Sequence, residues 1–397
     1  MDYTKAPRLF QLQKVVRYTR MYGFRRTLIK VLAQVHMKRT YRDLPMSTQT
    51  LAEKQIVGLI GCGNYAFSNI AYYLRKHFGN VIGACMDVDP NRAASLATHY
   101  RIPLHTTNAD VLIQHPYVRI VYIASNHSSH AEYAIAALRA GKSVYIEKPH
   151  VVTEDQLHRL SYEAERSPGR VYLGFNRPGS RFGQRMLKTL LAESGAGMYT
   201  WFVAGHAIDP DHWYFQPQEG GRILGNLCHW TDFVLRLAGS NPFPVELRPT
   251  RAHQSDCDVA VTYTFPDGTI AVIAFSAKGH TFEGVSEAFH GHRGNCLVAM
   301  KDYKTLTIEQ VQRKMVFRSV FRDHGHARNI TAAFRNVHDS LTYDKAAELQ
   351  HMRNTAWLFL NTKRALEENR ILTISTYQPS AEATESRPTD RATYAGA

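Results

Sequence analysis

The sequence predicts an α/β plus α+β chain: an N-terminal unit on a parallel sheet, followed by a unit on a mostly antiparallel open sheet. Three observations predict it. Between about 52 and 176, short apolar runs alternate with helical segments, the pattern of a parallel sheet covered on both faces. After 176 that alternation stops, and from 245 to 320 strand-like runs follow one another with turn signals such as Phe265-Pro266-Asp267-Gly268 between them. Before 52 the chain is basic, with a helical period.

In order, residues 8–36 place Leu12, Val15, Val16, Tyr22, Leu28, Val31, Leu32 and Val35 at helical spacing, with Arg and Lys between them. Gly23 divides this pattern into two helices. Residues 1–50 carry eleven Lys and Arg against Asp2 and Asp43, so +9 of the net +14 lies there. Two short helices are marginal alone in water, so the apolar stripe is expected to be buried. The expected dock is a neighbouring subunit or the chain's own second unit, with the basic face toward an acidic group such as a nucleotide-sugar diphosphate. A membrane surface is the rival partner of residues 8–36.

Residues 44–49 read as a linker. Strands follow at 54–60, 81–87, 119–125, 143–148 and 170–175. Helices lie between them at 64–78, 90–100 (opened by Pro90), 129–140 (ended by Gly141) and 153–166. Beyond, helices are expected at 180–193, 222–238 (ended by Gly239), 326–341 and 345–367, with a strand at 198–204. The predicted divisions are a basic helical extension (1–50), a nucleotide-binding unit (51–176), a substrate and oligomerisation unit (177–372) and a disordered tail (373–397) without periodicity.

Composition narrows the function. At 44% hydrophobic and 21% charged, the chain reads as soluble and globular. Five cysteines (Cys62, Cys85, Cys228, Cys257, Cys296) with no C-x-x-C pair argue against a disulfide framework or zinc ribbon, and for a reducing, cytoplasmic setting. No apolar run approaches the roughly 18 residues of a membrane span, and the N-terminus lacks the apolar core of a signal peptide. His290, His292, His324 and His326 match no compact ligand set, so no metal is expected. No nucleic-acid module is recognisable, so no nucleic-acid partner is expected.

The stretch Gly61-Cys62-Gly63-Asn64-Tyr65-Ala66 has the G-x-G-x-x-G/A spacing, after a strand and before a helix. The first glycine permits a tight turn, the second lets a pyrophosphate approach the backbone, and the small third residue lets helix and strand pack closely. The phosphate then faces free N–H groups at the helix start. Asp87, at the end of the next strand, stands where an acid bonds a ribose 2′-hydroxyl. Its carboxylate repels a 2′-phosphate and Val88 offers no cation, so NAD is expected over NADP.

Glu147-Lys148-Pro149 ends another strand, where ligands of such sheets bind. A Lys there can hydrogen-bond a substrate hydroxyl, and burial is expected to lower its pKa toward a useful range. On the helix at 222–238, Asn226, His229 and Asp232 share a face, which suits a base held by its neighbours. Asn176 and Arg177, just past a strand end, are expected substrate contacts, and Asp211, His212 and Trp213 a second group, with Trp able to stack on a sugar face.

Taken together, GLIGCGNYA, Asp87, SNHSSHAEYAIAALRAGKSVYIEKP (125–149), GFNRP (174–178) and the helix bearing His229 resemble the Gfo/Idh/MocA oxidoreductases over about 52–370. Within that family, AGHAIDPDHWYFQPQEGGRILGNLCHW (204–230) and RDHGHARN (322–329) look most like the oxidoreductase half of bi-domain proteins often linked to surface-polysaccharide synthesis. The resemblance implies a Rossmann domain, a substrate domain whose open sheet makes homo-oligomer contacts, and hydride transfer at a secondary alcohol of a sugar, nucleotide sugar or cyclitol. It implies Lys148 and His229 as catalytic residues, and Gly61, Gly63, Asn64, Tyr65, Ala66, Asp87, Asn126, His130, Glu147 and Lys148 as the cofactor-binding set. Asn226 joins the substrate contacts. Many members carry Asp four residues before the histidine, where this chain has Gly225. Two other functions fit the same scaffold: a redox-neutral epimerase, lyase or hydrolase using bound NAD, and a non-catalytic NAD-binding sensor.

Overall fold

The computed structural model describes residues 7–379, apart from 206–207, 210, 253–257, 281 and 283. The first sheet holds β1 (Val57–Ile60), β2 (Ile82–Met86), β3 (Leu104–Thr106), β4 (Ile120–Ile123), β5 (Ser143–Ile146) and β6 (Val171–Leu173), in the order β3-β2-β1-β4-β5-β6. All its pairings are parallel. Strands β1, β2, β4 and β5 are buried at every residue, as strands covered on both faces are. The short β3 was not anticipated, because three residues carry no readable period.

Helices α1 (Arg8–Tyr22), α2 (Phe24–His36), α3 (Tyr72–Phe78), α4 (Pro90–Tyr100), α5 (Ala109–Ile113), α6 (His127–Arg139) and α7 (Glu154–Arg166) belong to this half of the chain. Local chemistry starts them. Asp89 caps α4 by accepting from the Asn91 amide with Pro90 at the first position, and Thr153 caps α7 by accepting from the Gln156 amide. Then come α8 (Arg181–Leu191), α9 (Cys228–Leu237), α10 (His326–His338) and α11 (Lys345–Glu368).

The second sheet contains β7 (Gly197–Ala204), β8 (Val245–Arg251), β9 (Val259–Thr264), β10 (Ile270–Ser276), β11 (Ser286–Arg293), β12 (Cys296–Lys301), β13 (Thr305–Gln310), β14 (Arg313–Arg318) and β15 (Leu372–Ile374). Its order is β14-β13-β12-β11-β7-β10-β9-β8-β15, antiparallel except where β10 runs parallel to β7. Burial alternates along β7, so Tyr199, Trp201 and Val203 face a core with Phe233 and Phe289, while Met198 and Phe202 face outward.

Three expectations need correction. α10 returns to the first sheet, and α11 packs on both units, with Leu358, Ala365 and Leu366 in the second sheet's core and its other side on the first unit. Ile330, Ala333 and Phe334 of α10 pack with Phe67 and Leu96 on one face, and Met352, Ala356 and Phe359 of α11 pack with Leu157 and Leu160 on the other. Tyr122 of β4 donates to the Ile330 carbonyl at 2.8 Å, so α10 covers strand surface that the strand–helix units leave bare. The expected disordered tail is ordered at its start. β15 pairs with β8, Trp357 donates to Ser375 O at 2.9 Å, and Tyr377 is buried; residues 380–397 lie outside the described residues.

The third correction concerns the basic extension. Within the chain most of the expected stripe is uncovered, with Leu12 and Val35 each 60% exposed, although Leu32 packs on the first sheet's core and Tyr22 on His324; Met21, Thr27, Ile29, Ala33 and His36 are buried. Ile29, Ala33 and His36 recur at helical spacing and form the side of α2 that lies on the first sheet's core, beside Phe67. On the other side, Phe10 meets Phe282 at 4.8 Å between ring centroids, and the Arg322 amide donates to Met21 O at 2.8 Å. The hairpin therefore docks within its own chain and touches both units. No helix among the described residues is long and apolar enough to cross a membrane.

Candidate functional site

The glycine-rich turn leaves β1 and enters a helix at Asn64. Gly61 has φ +86°, and a Cβ there would lie 2.6 Å from the Ala124 carbonyl. Gly63 has nothing within 4 Å of where its Cβ would be, which leaves open space above the helix start. Ala66 is fully buried at the strand–helix contact. Asp87 accepts from the Cys62 amide at 2.7 Å and the Asp89 amide at 3.0 Å, so its carboxylate is fixed at the end of β2 beside the turn. These residues fit a dinucleotide: a tight turn, an open approach to free amides and an acid at ribose distance in sequence. Gly61→Ala will destabilise the fold by at least about 1–2 kcal/mol, the cost of the left-handed backbone alone. A urea midpoint equal to that of the unsubstituted chain would refute this reading of the turn.

Lys148 follows β5, and the Lys148–Pro149 peptide is cis. Its Nζ donates to Gly225 O at 2.5 Å. Burial works against its charge, but Tyr214, Cys228 and Glu147 outweigh burial and hold its pKa above the ordinary lysine value. The expected downward shift is thus reversed. Glu147 lies beneath it, buried, and accepts from the Tyr145 hydroxyl at 3.0 Å; burial raises its pKa.

His229 sits at the start of α9, buried, with no hydrogen-bond partner for Nδ1 among the described residues. Burial first, then the charges of Arg177 and Lys148, push its pKa well below the usual histidine value, so it is neutral at pH 7. Asn226 Oδ1 is also buried without a partner among the described residues. Asp232 does not steady His229. It accepts from His351 at 2.8 Å, Thr355 at 3.1 Å and Arg236 at 3.0 Å, and although burial opposes its charge, Arg236 and His351 hold its pKa down at about 2. Three-residue spacing around a helix is wide enough to turn Asp232 toward α11.

Gly225 has a steric explanation. A Cβ there would lie 2.7 Å from His127 Cε1 and 2.8 Å from Tyr214 Cε2. The volume that an aspartate side chain needs is filled by these two rings, with His127 Nδ1 facing Glu219 O at 2.9 Å.

Several expected ligand contacts serve the protein itself. His130 turns its ring nitrogens to Pro149 O at 2.8 Å and Ser125 O at 3.2 Å, which leaves neither free for a cofactor. Asn126 donates to Glu219 Oε1 at 2.7 Å. Asn176 donates to His324 O at 2.6 Å, and Arg177 pairs with buried Glu287 at 3.1 Å over the Trp230 ring. Of the second group, Trp213 packs on His127 with centroids 4.7 Å apart, His212 accepts from the Tyr214 amide, and Asp211 is exposed in the turn before them.

Sequence reasoning missed Glu287, His324 and His326. Tyr65 meets His326 Nδ1 at 3.2 Å, and His326 Nε2 lies 3.3 Å from Asn176. Only chain folding brings 65, 176, 287 and 326 together. The pattern His-Gly-His was the one available signal, and it points as easily to a turn. No group of three or more metal-ligating side chains occurs among the described residues.

α2 completes the rim. Lys30 Nζ donates to Asn64 Oδ1 at 2.5 Å, and Arg26 donates to Ser68 O at 2.6 Å and Asn69 Oδ1 at 2.7 Å. His36 faces Cys62 O at 2.7 Å. Burial, then Arg26, lowers the Lys30 pKa to about 8.

Residues 56–175 match the family described as "Oxidoreductase family, NAD-binding Rossmann fold". An oxidoreductase P35 of Formosa agariphila is 38% identical over 28% of this chain and 34% of its own length. An inositol 2-dehydrogenase of Burkholderia multivorans is 33% identical over 55% of this chain and 66% of its own length. The match thus spans less than two thirds of these curated relatives. A levoglucosan dehydrogenase solved with NADH superposes with TM-score 0.65 at 16% identity, over 81% of this chain and 99% of that one, a likeness of fold. The glycine turn, Asp87 and all six parallel strands lie within the segment that matches this family, residues 56–175.

Proposed function

We propose that this chain is an NAD-dependent oxidoreductase moving hydride to or from a secondary alcohol of a sugar, nucleotide sugar or cyclitol. The observation that carries this reading is the pairing of a half-buried Lys148, held in its charged form, with a buried, neutral His229 whose Nδ1 lacks a partner among the described residues. The names of the relatives, an inositol and a levoglucosan dehydrogenase, support the substrate class. We read 51–176 as the cofactor unit and 177–372 as the substrate unit, a division qualified by α10 and α11. The outward apolar face of the second sheet supports a homo-oligomer, and four buried free cysteines support a cytoplasmic setting.

A nicotinamide bound here supplies the hydride acceptor or donor. Lys148 has three N–H donors, one already on Gly225 O, and the others can hold the substrate oxygen. Its charge stabilises that oxygen as the proton leaves. His229, being neutral, takes the proton in oxidation and returns it in reduction. The unpartnered Asn226 Oδ1 offers an acceptor for a neighbouring hydroxyl.

Incubation with candidate sugars and cyclitols, read by NADH absorbance, tests the reading. Net NADH change supports a dehydrogenase, and product without it supports the redox-neutral alternative. Neither, with NADH bound, leaves a sensor. NAD(H) will bind at least about tenfold more tightly than NADP(H), because Asp87 faces the ribose position. Equal affinities in a fluorescence titration would overturn that placement.

A further inference from the structure

α2 presents two cations to the glycine-rich turn, and they differ in how they are satisfied. Arg26 is spent on neutral groups: the Ser68 carbonyl, Asn69 and the faces of Tyr72 and Tyr73, at 5.1 and 4.9 Å from the ring centroids. It fastens the helix. Among the described residues, Lys30 makes one hydrogen bond, to Asn64 Oδ1, and pairs with no carboxylate. Its charged neighbours are cationic: Arg26 depresses its pKa, and its charge is felt at His326. A partly buried ammonium beside a guanidinium, with no anion, is unfavourable unless an anion completes the site.

The position says which anion. Asn64 is the first helical residue after Gly63, so Lys30 stands one side chain away from the amides that receive a phosphate. The open space at Gly63 lies in the same turn. The helix is held there independently of the lysine, by Ile29 and Ala33 in the core and by His36 on Cys62 O.

Resting on the NAD reading above, we propose that Lys30, from the N-terminal extension, is a cofactor-binding residue whose ammonium neutralises the dinucleotide diphosphate over Gly61–Gly63. The glycine turn then supplies amides and the extension supplies the charge. This assigns the basic extension a role within its own chain. A nucleotide-sugar substrate carries the same diphosphate chemistry, and the test separates the two sources.

The test compares the full chain with Lys30→Gln and Lys30→Arg. Gln keeps a donor for Asn64 without the charge. NADH titrated by fluorescence will bind Lys30→Gln about 10–100-fold more weakly, the worth of one charge-assisted contact. Lys30→Arg will retain most of the affinity, and adenosine, which lacks phosphate, will bind the unsubstituted chain and Lys30→Gln alike. The NADH affinity of Lys30→Gln will also depend less on salt. An NADH affinity within about twofold of the unsubstituted chain overturns the proposal. So does an equal loss for adenosine, which marks a damaged site, or a loss confined to a UDP-sugar added to the NADH-saturated protein, which moves the lysine to the substrate. If the unsubstituted chain binds no NADH, the cofactor reading falls as well.

Discussion

Lys148→Ala and His229→Ala will each lower turnover by ~10²–10⁴-fold, the usual scale of general acid–base work, while NADH still binds. The two will fail differently. Lys148 is charged in the free site, so its loss removes stabilisation of the substrate oxygen at every pH. His229 is neutral because burial, Arg177 and Lys148 oppose its protonation. Activity in the oxidation direction will therefore not fall at the usual histidine pKa near 6.5 but only well below it. Steady-state rates from pH 5 to 8 with NADH titrations at each point check both statements. A variant that turns over normally removes that residue from the chemistry.

Acid will unfold the protein early. His130 and His324 have pKa values pushed down to about 4, and His150 to about 3, chiefly by burial. The folded pKa is depressed in each case, so below 6.5 the unfolded chain binds protons that the folded chain refuses. The stability these groups contribute is present above 6.5 and lost as pH falls toward 4. Three such groups remove roughly 7 kcal/mol between pH 7 and 4.5, a large part of a typical domain's total. Buried His127 and His229 and half-buried His326 act in the same direction. Asp232, with its pKa at about 2, holds its contribution through this window. Urea midpoints that stay flat from pH 7 to 5 would show that these histidines do not stay neutral in the fold.

What could be read from the sequence followed from period and punctuation. The parallel sheet was legible because strands such as Ile120–Ile123 and Ser143–Ile146 are apolar throughout and separated by helices with clear ends. The glycine turn was legible because Gly61 answers a backbone requirement that no other residue meets as cheaply. The direction of the N-terminal stripe was not legible. Period alone shows that Leu28 and Val35 share a face of α2, not whether Ile29 and Ala33 on another side find a deeper contact. The state of Lys148 was hidden for a related reason. Tyr214 and Cys228, which outweigh its burial, come from a segment far along the chain. Arg177 looked available for substrate because its partner Glu287 lies in the second sheet.

The extension also sets an order of assembly. α1 and α2 are made before the segment they finally touch: the Phe321 ring lies against Gly23, Tyr22 packs on His324, and the Arg322 amide bonds Met21. These contacts join positions separated by most of the described chain, so they form only after synthesis has passed the first sheet and all of the second but β15. Until then Ile29 and Ala33 can dock on the nascent first sheet, but α1 has no second support. Completion of the hairpin therefore reports that residues 321–326 have reached their place, and protection of α1 from proteolysis will appear last during refolding.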